Sequence, residues 1–253
     1  MPTDPTFPAP DAMTRRAVLG TALAAGTAAV AGAEEKPKPD PRRSSPKRYD
    51  MKKSINLWAF PYPQRMTLRE CLRLAKDAGF DGIELNYDLD NDLSPKAGPK
   101  ELRAIRKMAE DVGIAISGVC SFLFWPYSLT SNRPAERARG LELAGKMLEA
   151  AHELGTENLL VVPGAVHIPW LKDHDPVPAD VCDRRAREAV GKLVPRAEKL
   201  GVYLNIENIF FNGYLLSPQD LIAFVDGFKS KHVRVHFDTG NIMLVSFPFL
   251  GGF

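Results

Sequence analysis

From Ser54 onward the chain alternates short apolar, β-branched runs with longer amphipathic stretches. The short runs are Ser54 to Trp58, Gly82 to Leu85, Ile114 to Val119, Asn158 to Val162, Val202 to Glu207 and Val233 to Asp238, and each predicts a β-strand. Between them lie helix patterns. Thr67 and Glu70 form a capping box ahead of the apolar positions Leu68, Cys71, Leu72 and Ala75, and that helix is expected to stop at Gly79. Further helices are predicted over Lys100–Val112, Pro134–Leu154, Ala179–Leu200 and from Ser217-Pro218 to about Phe228. Pro195 removes a backbone donor, so a kink or break is expected there.

The fourth run, Asn158 to Val162, is apolar throughout after its first residue, as a strand buried on both faces of a parallel sheet should be. Strand ends recur every 27 to 44 residues, the spacing of a TIM-type (β/α) barrel. A dinucleotide-binding sheet would require a glycine-rich turn after its first strand; Ala59 to Pro63 stands there instead, and no GxGxxG occurs. The fold class expected is α/β, a (β/α) barrel with six of its eight strand–helix units present.

Two of these strands end on a carboxylate, Glu207 on the fifth and Asp238 on the sixth. Alternation along a strand puts Tyr203, Asn205 and Glu207 on one face, and Arg234, His236 and Asp238 likewise. Neighbouring strands lie about 4.8 Å apart, so two carboxylates at adjacent strand ends repel unless a proton or a hard cation lies between them. From the residues alone, a shared metal and simple capping of the following helices both account for the pair.

Residues 1–33 have the order of an export signal. Arg15-Arg16 precedes an Ala/Gly-rich apolar run without charge until Glu34, and Ala31-Gly32-Ala33 offers the small residues of a cleavage site. The arginine pair resembles a twin-arginine signal, which predicts an exported, periplasmic or extracytoplasmic protein with no stable membrane span after cleavage. Residues 34–52, with prolines among charges, are expected to be a disordered linker, and residues 53–253 the barrel domain. The formal charge of +2, without a basic stripe in the folded part, disfavours nucleic acid as a partner. Cys71, Cys120 and Cys182 are widely spaced and suggest neither a zinc site nor a disulfide framework.

Gly79 to Leu85, Leu204 to Asn208, Leu215 to Pro218 and Phe237 to Asn241 together resemble the xylose isomerase-like barrels of the sugar phosphate isomerases and epimerases, kin of ketose 3-epimerases and endonuclease IV. That resemblance implies a divalent metal, Mn²⁺ or Mg²⁺, held by Glu207 and Asp238 with a histidine from a seventh strand and a glutamate from an eighth. It also implies proton transfer beside a ketose carbonyl, with Glu207 as one of two acid–base glutamates. After Asn241 only Ile242 to Phe253 follow, containing neither histidine nor glutamate, so the last two units are expected to be lacking. The sixth strand is then an exposed edge through which copies of the chain could associate.

Two functions follow. One is a metal-dependent sugar or sugar phosphate isomerase/epimerase; the other is a truncated, inactive barrel remnant with at most weak metal or sugar binding. Endonuclease activity is disfavoured, because Asn241 stands where a metal-binding histidine would be expected. Glu84, Trp58, His167, Asn208 and Asn241 are candidate substrate contacts, and Phe60, Phe124 and Trp125 join Trp58 as aromatics near strand ends. His236 is expected to be a satisfied core histidine, and His152, His174 and His232 surface residues.

Overall fold

The computed structural model describes residues 50–246, the last three as backbone only. The expected export signal, nearly all of the expected linker and the residues after Ser246 lie outside the described residues.

Six strands form one parallel sheet in sequence order: β1 (Ser54–Asn56), β2 (Gly82–Asn86), β3 (Ala115–Cys120), β4 (Asn158–Val161), β5 (Tyr203–Glu207) and β6 (Val233–His236). The connecting helices are α1 (Leu68–Asp77), α2 (Pro99–Val112), α3 (Pro134–Leu154), α4 (Ala179–Leu200) and α5 (Pro218–Asp226), with α6 (Thr239–Ser246) after the last strand. Among the described residues each strand pairs only with its sequence neighbours, so there β1 and β6 are both edges and the barrel is incomplete.

Local chemistry explains most boundaries. The predicted capping box at Thr67 and Glu70 forms, and Ser217 with Asp220 makes a second at the start of α5. Gly113, Gly155 and Gly201 end α2, α3 and α4 in the left-handed region, with φ of 78°, 76° and 68°, where a side chain would be strained. Of the kink or break expected at Pro195, the break does not occur: α4 is continuous from Ala179 to Leu200. One expectation fails. β1 stops at Asn56 rather than Trp58, because the Asn56 side chain accepts a hydrogen bond from the Trp58 amide at 2.8 Å and turns the chain into a short 3₁₀ helix, Leu57–Ala59.

Alternation divides the sheet into unlike faces. Ile83, Leu85, Val119, Leu159, Val161, Leu204 and Ile206 are fully buried against the helices. They meet Leu72 of α1, Leu102 and Ile105 of α2, Leu143 and Leu148 of α3, and Val190 and Leu193 of α4 in one core. The inner face carries Asn56, Glu84, Ser117, Asn158, Asn205 and His236, and the gap between β1 and β6 opens onto it as a cleft of about 440 Å³. No helix among the described residues is long and apolar enough to cross a membrane.

Candidate functional site

Because every strand is parallel, their carboxyl ends gather at one end of the sheet. Glu207 closes β5 opposite His236, the last residue of β6, and Asp238 follows two residues beyond it, close enough for its charge to act on Glu207. Burial raises the Glu207 carboxyl to about 7, with the nearby charges of Asp238 and then Glu84 adding to the effect. The three carboxylates therefore share one side of the sheet, and Glu207 has no hydrogen-bond donor or cation among the described residues.

Asp238 has a divided role. Its Oδ1 accepts from the Gly240 and Asn241 amides at 2.7 and 2.9 Å, capping α6, while its other carboxylate oxygen has no partner among the described residues. Asn208 grips the Asp238 backbone from both sides: its Oδ1 accepts from the amide at 2.8 Å and its Nδ2 donates to the carbonyl at 2.9 Å. Asn241 Nδ2 donates in turn to the Asn208 carbonyl at 2.9 Å. Asn208, 1% exposed, is thus a clamp between strand ends with its amide fully engaged.

Glu84 belongs to a second network. Its Oε2 accepts from Asn56 Nδ2 at 2.6 Å, and Gly118 leaves it room, since a Cβ there would lie 3.4 Å from Oε1. The same Asn56 nitrogen reaches the Cys120 sulfur at 3.1 Å. Burial, followed by the Glu84 charge, pushes the Cys120 thiol well up, so it stays protonated. With the Asn86 amide oriented to satisfy both its ends, its oxygen accepts from Trp58 Nε1 at 2.7 Å and anchors that exposed indole at the mouth.

His167 lies apart from the carboxylates' hydrogen-bond network: it is exposed in the loop after β4, its ring 6.0 Å from that of His174. Three expectations about histidines are corrected. His236 is half-buried on the inner face, lining the cleft rather than satisfied in the core. His232 is buried, stacked on Tyr203, with Nδ1 unpartnered among the described residues; His174 is half-buried with both ring nitrogens unpartnered. The aromatics also redistribute: Phe124 is core, whereas Trp170 and Phe211 are exposed. Cys120 was not legible as a site residue; its only local signal was its position at a strand end.

Among the described residues, no three His, Cys, Asp or Glu side chains form a metal-binding group. The orphaned carboxylate of Glu207 and the unengaged oxygen of Asp238 suit a hard cation as two of its ligands, but two protein ligands do not complete a coordination shell.

A family model described as xylose isomerase-like TIM barrel matches residues 72–248, and the chain belongs to that family. L-ribulose-5-phosphate 3-epimerase UlaE of Shigella flexneri is 32% identical over 187 residues, 72% of this chain and 63% of the relative. The corresponding protein of Escherichia coli O1:K1 / APEC is 25% identical over the same span. The chain thus covers 63% of the length of these curated relatives. The solved structure of D-psicose 3-epimerase in the presence of D-fructose matches with a TM-score of 0.64 at 25% identity, covering 77% of this chain and 65% of that one. L-ribulose 3-epimerase, at 22% identity and a TM-score of 0.63, shares the fold.

Proposed function

We propose that the chain carries the proton-transfer half of a divalent-metal-dependent ketose, or ketose phosphate, epimerase or isomerase. The observation that carries this reading is Glu207: a desolvated carboxyl at the mouth of the sheet, raised to about 7 and facing Asp238 and Glu84. A base with a pKa near the working pH is matched to removing a proton from carbon beside a carbonyl. Glu207 takes that proton, Asn208 and the α6 amides hold Asp238 in place beside it, and Glu84, steadied by Asn56, meets substrate hydroxyls. Mn²⁺ or Mg²⁺, with Glu207 and Asp238 among its ligands, would supply polarisation of the carbonyl when bound. The kinship with proteins named as 3-epimerases supports a ketose as the substrate class.

Exchange of substrate carbon-bound hydrogen in D₂O, followed by NMR with Mn²⁺ on ketoses and their 5-phosphates, tests the proposal. Exchange that disappears in Glu207→Gln supports it; exchange unaffected by that change defeats it. The lack of a third metal-binding side chain among the described residues favours a second reading, a chain that binds metal or sugar weakly and turns nothing over. No exchange in either protein would favour that one.

We also propose export through the twin-arginine pathway, on the sequence of residues 1–33. Replacing Arg15 and Arg16 by lysine should leave the protein in the cytoplasm in a fractionation experiment. The free edges of β1 and β6 are the surfaces through which a second copy would associate, and sedimentation velocity tests that.

A further inference from the structure

Beside the carboxylate mouth, the loops after β3, β4 and β5 raise a continuous aromatic ledge. Trp125 and Trp170 meet edge to face at 4.9 Å between centroids, Phe210 packs on both at 6.1 and 5.9 Å, and Phe211 follows at 5.5 Å. Phe210 comes three residues after Glu207, so the ledge begins at the catalytic strand end. Trp125 and Phe210 are half-buried, but Trp170 is 42% exposed. A packed ledge would bury this indole if its role were only to hold loops together.

Trp170 also forms a wall of a separate small cleft of about 240 Å³, with Arg133, Glu136, Lys172, Asp173 and His174 around it. Arg133 is fixed there by Glu136 Oε1 at 2.9 Å and by the Asp173 carbonyl at 2.7 Å. Two cationic and two anionic side chains balance, so the cleft has no charge preference for a phosphate or an ammonium. What it offers is an aromatic face with guanidinium, ammonium and carboxylate groups around it; the two His174 ring nitrogens, unpartnered among the described residues, are buried and not exposed to it. An apolar plane edged by polar groups of both signs complements a neutral sugar ring, whose C–H face packs on indole while its hydroxyls donate and accept. At about 240 Å³ the volume lies below the usual range of organic-ligand pockets and limits an occupant to about one ring.

We propose that this cleft is a subsite for a neutral glycosyl substituent, so that the chain takes a glycosylated ketose in preference to the free sugar. The proposal rests on the epimerase reading of the mouth for the ketose end, while the glycosyl end stands on the cleft alone.

Calorimetric titration of the full chain, with Mn²⁺ present, should give 6-O-glucosyl-fructose an affinity about 10-fold above that of D-fructose, the size of one good aromatic contact. Trp170→Ala should abolish that advantage and leave fructose binding unchanged, and Trp170→Phe should retain most of it. Unchanged thermal melting checks that the variants fold. In a second arm, methyl glucoside alone should shift the indole N–H resonance assigned to Trp170. Equal affinity for the two sugars, or an advantage that survives Trp170→Ala, overturns the proposal. So does a Trp170→Ala variant that changes the oligomeric state while binding both sugars as before, which would make the ledge a protein contact. Methyl glucoside shifting Trp170 without any fructose binding would defeat the epimerase reading and leave the cleft standing; fructose binding without that shift would do the reverse.

Discussion

The two faces of the same six strands are built to opposite rules. On the outer face, Leu204 and Ile206 of β5 are fully buried beneath helices, and their neighbours on β2 to β4 are equally dry. On the inner face of that strand, Tyr203, Asn205 and Glu207 are only half-buried, and the cleft beside them is lined by amides, hydroxyls, a carboxylate and an imidazole together with Ile55, Leu160 and Val235. A closed (β/α) barrel fills its interior with branched apolar layers. Here the apolar burial is one-sided: stability comes from the strand–helix layer, and the concave side is left for polar chemistry.

That contrast can be broken at single positions. Glu207→Gln, on the inner face, is expected to lower ketose hydrogen exchange by about 10²–10⁴-fold, the usual contribution of a positioned acid–base group, while the melting temperature does not fall. Leu204→Ala, one layer away through the sheet, should do the opposite: denaturant titration should show a loss of about 2–5 kcal/mol through the cavity left under α4 and α5, with turnover per folded molecule unchanged. Asn208→Ala sharpens the boundary because it belongs to both faces. Losing the two bonds to the Asp238 backbone should cost about 1–3 kcal/mol in the same titration and should also weaken Mn²⁺ binding.

The smallest effect is in pH dependence. Glu207 keeps its proton in the folded chain up to about 7, whereas the unfolded chain releases it near 4.5. The folded state binds more protons in that window, so this group's contribution is fully present below 4.5 and declines as pH rises through 7. In the presence of EDTA, unfolding free energy should therefore fall between those pH values, and fall less steeply in Glu207→Gln.

The outer face was legible in the sequence almost residue by residue. Strand and helix periods and the capping box at Thr67 are local signals, and the elements they predict are present, three of the helices closing on left-handed glycines at 113, 155 and 201. The nearness of the β5 and β6 ends was also legible, because consecutive parallel strands pair. Contacts that depend on residues far apart in the chain were not. Cys120 joins Asn56 across a separation of 64 positions, and the buried His232 stacks on Tyr203 of the neighbouring strand. No period within either segment encodes those meetings. The unbroken course of α4 through Pro195 is a similar case: the proline rule is local, while the helix is held by the core packing of Ala186, Val190, Leu193 and Ala197.

The clamp made by Asn208 bears on motion as well as position. β6 has no neighbour on its far side among the described residues, so its end would ordinarily be the part of the sheet most free to sway. One carboxamide holding both the N–H and the C=O of Asp238 transfers that end to β5, and the aspartate and Glu207 then fluctuate together. Whatever lies between their oxygens meets a gap of nearly constant width, even while the strand that carries half of it sits at the open margin of the sheet.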